Sequence, residues 1–248
     1  MNHYLSFLSV LLLCLVTWTL PRWKIFREKV HPPILSVSAG VGISYVFLVL
    51  LPKLAEIQSA IDLDSGTDPL LPAGLHVYLA ALAGFVVFLL VAKKDLAEDR
   101  LGLGQKPSGT TLLVASVFGL YNAQIGFLLG DWPFASLLGY FGLTFAFGMH
   151  FIGINYHLWK HYPRRYCRYF RGIFSLCLML GWLAAFLSDQ LGPVFKFSTL
   201  FVVGGIIITA IREEIPPKEA ANIPYFLLTV TATSLFIVFT EILLARGQ

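Results

Sequence analysis

Charged side chains are scarce in this chain. Asp, Glu, Lys and Arg make up 13% of its 248 residues, where a soluble domain of this size carries about one quarter. A conventional water-exposed surface is thereby excluded. Cysteine is scarce as well, with three residues in all. Cys14 and Cys177 fall in apolar runs and Cys167 in a basic stretch. Their spacing matches neither a zinc knuckle nor a disulfide framework, so each reads as a small apolar filler. The glycine-rich segment GLGQKPSG lacks the spacing of a phosphate-binding loop, and no strand precedes it. No nucleophile elbow and no serine–histidine pair is present, and an enzyme is not expected.

What the chain has in abundance is hydrocarbon. Hydrophobic residues make up 57% and the mean hydropathy is +0.75. A membrane span needs about 20 mostly apolar residues. Eight such runs are expected, at about 4–20, 34–51, 73–92, 111–130, 134–158, 173–191, 197–211 and 224–245. The expected fold is all-α, a single polytopic membrane domain of eight transmembrane helices. The first run has no basic n-region and no small-residue cleavage site, so it reads as a span and not as a signal peptide. Pro52 is expected to end the second span, and Gly126 with Gly130 forms a GxxxG pair of the kind that marks a helix contact.

The net charge of +4 is not a nucleic-acid signal, because the basic residues sit in short loops. Four alternate loops carry fifteen of the eighteen Lys and Arg residues. The positive-inside rule places those loops in the cytoplasm and both termini outside, in the cell (inner) membrane.

The fifth span does not fit hydrocarbon alone. It carries His150 and Asn155 and runs on to His157. Polar or ionisable groups inside a membrane are expensive and mark a site by default. The competing reading is that they bond across helices, as buried polar groups must.

Eight helices with both termini outside resemble the ZIP family of divalent metal transporters. Three motifs add to this. AGVGISYVFLVLLPKLAEI is similar to the family's second helix, with its FLHLLPE. Phe47, Leu48, Leu50, Leu51 and Pro52 match; Val49 stands for the His and Lys53 for the acid. YNAQIG aligns with HNxxDG. Asn122 and Gly126 match, with Tyr121 for the His and Ile125 for the Asp. HFIGIN aligns with HExPHE. His150 matches, while Phe151, Gly153, Ile154 and Asn155 stand for Glu, Pro, His and Glu. The departures fall on the family's metal ligands, and its cytoplasmic His-rich loop is missing from Lys93–Gly109.

The resemblance implies a 3+2+3 bundle, two three-helix repeats around helices four and five. It implies transport of a divalent metal (Zn, Fe, Mn or Cd) towards the cytoplasm, through a degenerate site at His150, Asn122 and Asn155. Two neutral amides and one imidazole are a poor ligand set for zinc, which takes thiolate, imidazole and carboxylate. A ZIP-derived scaffold or sensor that no longer transports therefore stays beside the carrier reading. No permanently bound cofactor is expected.

His157 and His161 share a helix face at i, i+4. They stand beside Arg164 and Arg165 and read as a cytoplasmic exit or as a contact for anionic lipid. Glu213-Glu214 follows span seven. It resembles the paired glutamates of intramembrane CAAX-type proteases but reads more simply as the start of a loop. The expected partners are the bilayer, anionic lipids at the cytoplasmic face and, kept open, a second copy of the chain. Nucleic acid is not among them.

Overall fold

In lipid a backbone is satisfied either within an α-helix or between the strands of a closed barrel, and continuous apolar runs of about 20 residues suit the helix. The computed structural model follows that rule. It describes residues 2–28, 33–52, 54–56, 58, 75–98, 109–131, 137–187, 200–208 and 222–246. Among these, all the regular structure is helical. We number the main helices α1 (Asn2–Thr19), α2 (Pro33–Tyr45), α3 (Leu75–Glu98), α4 (Gly109–Gly130), α5 (Leu137–His161), α6 (Arg171–Ala184), α7 (200–208) and α8 (Ile223–Arg246). Among the described residues four stretches are long and apolar enough to cross a membrane, namely His3–Arg22, Pro33–Glu56, Thr111–Gly130 and Ile223–Thr240.

Pro52 does not end the second helix. The helix continues to Glu56, through a π-helical turn at Val46–Leu50. Proline lacks the N–H that would bond to Leu48, and its ring crowds that carbonyl. A π turn just before the proline widens the coil there, so the chain passes it without breaking. A second π turn, Tyr166–Phe170, follows the short helix Pro163–Arg165 and leads into α6. Pro163 sits at the first helical position, where its missing N–H is not needed.

Glycine sets the closest helix pairs. A Cβ on Gly126 would run into the carbonyl of Leu178, and one on Gly181 into that of Ala123. The same reciprocal relation joins Gly84 to Phe201 and Gly204 to Ala81, between α3 and α7. Lipid supplies no hydrophobic drive between helices, so close backbone approach and dispersion hold such pairs. Gly130 packs on Ala185 and Trp182, which makes the GxxxG pair of α4 a helix contact.

The contacts also fix relative directions. Gly119 meets Cys177 and Gly130 meets Ala185, so α4 and α6 run parallel. Ser9 meets Thr144, and the Tyr166 hydroxyl links Thr17 to Asn155, so α1 and α5 run parallel. Ser36 meets Asn222 and Ser44 meets Val230, so α2 and α8 run parallel. Ser6 meets Trp182 and Trp18 meets Ser175, so α1 and α6 are antiparallel. Phe88 of α3 reaches Phe118 of α4, and Gly142 of α5 lies under Phe236 of α8.

Most helical hydroxyls bond back to their own turn, as Ser and Thr do in apolar surroundings. Ser6, Ser9, Thr17, Thr19, Ser44 and Thr229 all donate to a carbonyl three or four residues earlier. Their lone pairs stay available. Trp182 Nε1–H donates to Ser6 Oγ at 3.0 Å, and Trp23 Nε1–H to Thr19 Oγ1 at 3.1 Å. Since the Ser9 proton is spent on Leu5, Thr144 is the donor in their 2.6 Å contact.

Candidate functional site at the centre of helix five

Asn122, His150 and Asn155 are all buried. His150 and Asn155 do not share a face of α5. His150 and Asn155 are five residues apart, and successive helical residues turn by about 100°, so the two side chains leave α5 in different directions. His150 lines a cavity of about 20 Å³ with Gly42, Tyr45, Leu50, Ala146, Phe147 and Ile206. That is room for about one water molecule. Across from it stands Tyr121 of α4, in the position where the resemblance would place a histidine, with ring centroids 5.9 Å apart.

Asn155 faces elsewhere. Its amide donates to the Phe151 carbonyl at 2.8 Å. Its Oδ1 accepts from the Tyr166 hydroxyl at 2.7 Å. That hydroxyl also lies 2.9 Å from the carbonyl of Thr17 at the end of α1. Burial pushes the Tyr166 hydroxyl well above its ordinary pKa, with a smaller contribution in the same direction from Cys167 and an opposing one from Arg171. It therefore stays a donor. Asn122 turns its amide to its own helix and donates to the Phe118 carbonyl at 2.7 Å. Two of the three expected ligands are thus engaged in protein hydrogen bonds. Among the described residues no group of three His, Cys, Asp or Glu side chains is placed to share a metal ion.

His157 and His161 do come together, with rings 6.1 Å apart and nearly parallel. His161 Nδ1–H donates to the His157 carbonyl at 2.9 Å, because a carbonyl oxygen only accepts. Arg164 and Arg165 follow in the next turn. Arg165 stands 5.9 Å from the Tyr162 ring and Lys160 is 5.6 Å from the Tyr156 ring. Tyr166 was not among the residues singled out in the sequence. One signal pointed towards it. Pro21 lies four residues after Thr17 and cannot donate to the Thr17 carbonyl, so that oxygen needed another donor.

Glu213-Glu214 and the segment GLGQKPSG before α4 lie outside the residues whose side chains are described. So do the acidic loop between α2 and α3 and the side chains of 91–98.

The class defined by these observations is an all-α protein with several long apolar helices suited to a membrane. No family model, no curated protein and no solved structure matches the chain.

Proposed function

We propose that this chain is a ZIP-like membrane protein of eight crossings that works as a membrane-embedded assembly or sensing subunit, its central ligand positions having been turned to structural use. The observation that carries this is Asn155. The residue standing where the resemblance expects a carboxylate ligand is a strut between α5, the Tyr166 turn and α1.

The eight-crossing reading is supported by the helix directions. Pairs of like parity (α1 with α5, α2 with α8, α4 with α6) run parallel, and α1 with α6 runs antiparallel, as an alternating chain requires. The 3+2+3 arrangement is supported by an exchange. Swapping α1 with α6, α2 with α7, α3 with α8 and α4 with α5 turns the α1–α5 contact into α6–α4, the α2–α8 contact into α7–α3 and the α3–α4 contact into α8–α5. All six are present. Inverted repeats of this kind put the functional centre near the midplane. The basic loops then face the cytoplasm and both termini lie outside.

A second reading is a carrier moving Zn²⁺, Fe²⁺, Mn²⁺ or Cd²⁺ towards the cytoplasm, with His150 as chief ligand. It is favoured by the cavity on which His150 opens. Metal uptake into proteoliposomes, with His150→Ala beside the parent chain, separates the two. The assembly reading expects no flux above empty vesicles. Flux that collapses in the variant would overturn it and establish the carrier.

A further inference from the structure

We propose that the end of the bundle where α5 passes into α6 is a binding site for the headgroup of an anionic phospholipid, held by Arg164, Arg165, Arg168 and Arg171. The inference stands apart from the choice between assembly subunit and carrier, since both need only that the chain sits in a membrane.

Three observations carry it. First, the cations are concentrated in one short stretch of the chain. Arg164 and Arg168 are exposed, and Arg165 and Arg171 half-buried. Among the described residues none of the four pairs with a carboxylate. Of the carboxylates with described side chains, Asp131 follows the C-terminal end of α4, the opposite end of the bundle by the directions above. Arginine offers a planar fork of donors that matches a phosphate in two-pronged fashion.

Second, aromatic rings hold the guanidinium groups. Arg171 lies 4.4 Å from the Trp18 ring, Arg168 5.2 Å from Tyr169 and Arg165 5.9 Å from Tyr162. Trp and Tyr settle at the boundary between headgroups and hydrocarbon. The cations are therefore fixed at headgroup depth, not on arms reaching into bulk water.

Third, an apolar track runs from the cations down α6. Ile173, Leu176 and Leu180 are exposed and recur at helical spacing below Arg168 and Tyr169, on one face. A phosphate above and an acyl chain below fit this sequence of groups. A soluble acidic protein would use the cations and leave the track unused. Basic clusters at such a boundary attract anionic lipid by about fivefold per cation.

The test uses the full-length protein in phosphatidylcholine vesicles containing brominated phosphatidylglycerol or, in parallel, brominated phosphatidylcholine. Quenching of tryptophan fluorescence gives the relative affinity for the two lipids, and Trp18, Trp23 and Trp159 lie at this end. The parent chain is expected to prefer phosphatidylglycerol at least tenfold. The triple variant Arg164→Gln, Arg165→Gln, Arg168→Gln is expected to lose most of that preference. The single exposed substitution Arg168→Gln, which leaves the fold's buried contacts intact, is expected to lower it about fivefold. Equal quenching by both lipids in the parent chain would overturn the proposal. So would a preference that both variants retain, or one abolished by millimolar inorganic phosphate at constant ionic strength, which would make the ligand a soluble anion.

Discussion

The Tyr166 hydroxyl stands 2.9 Å from the Thr17 carbonyl, the oxygen that Pro21 leaves without a helical donor. The same hydroxyl lies 2.7 Å from Asn155 Oδ1, so a single proton is shared between the end of α1 and the C-terminal part of α5. An unsatisfied buried carbonyl costs about 1–3 kcal/mol. Tyr166→Phe is expected to destabilise the protein by that amount, measured by denaturant unfolding in detergent. In a Pro21→Ala background, the restored N–H can serve the Thr17 carbonyl. Tyr166→Phe should then cost clearly less, and an equal cost in both backgrounds would count against this account.

Stability in alkali should depend on the same residue. Burial holds the Tyr166 pKa well above the ordinary 10.0, so the folded chain keeps a proton that the unfolded chain releases. The contribution is fully present below pH about 10 and declines as pH rises beyond it. A plot of unfolding free energy against pH should fall more steeply above that point for the parent chain than for Tyr166→Phe. Parallel slopes would show that the hydroxyl is not the group responsible.

The glycine contacts give a paired test. Gly126→Ala puts a methyl group against the Leu178 backbone, which cannot yield as a flexible side chain would. A loss of about 1–3 kcal/mol is expected from such overpacking. Gly172→Ala meets open space on α6 and should be neutral or stabilising by about 0.5–1 kcal/mol. Thermal melts of the two variants decide whether the α4–α6 contact or general helix propensity is at stake.

Metal should have little effect on stability if the assembly reading holds. A ligand present at 100 times its Kd stabilises by about 2.7 kcal/mol. Millimolar Zn²⁺ or Mn²⁺ should leave the melting temperature unmoved, and chelation likewise. A rise with metal that disappears in His150→Ala would instead support the carrier.

Much of the architecture could be read directly. The apolar runs at 4–20, 111–130 and 224–245 each contain a helix, within a few residues of the expected ends. The fate of Pro52 was not legible, since a π turn forms from the balance of packing around Val46–Leu50 and not from the proline alone. Nor were the partners that Asn122 and Asn155 take. A motif alignment lists residues in order, but it does not say which neighbours claim them.

The sequence by itself determined that this chain forms long apolar helices suited to a membrane, because apolar length and scarce charge leave little else for such segments to do. It also placed the basic residues at one end of the expected spans. Only the tertiary structure decided what the polar residues do. Their partners are far apart in the chain, Thr17 with Tyr166 and Ser9 with Thr144. In a low-dielectric interior each buried polar atom takes whichever donor or acceptor the packing brings within reach.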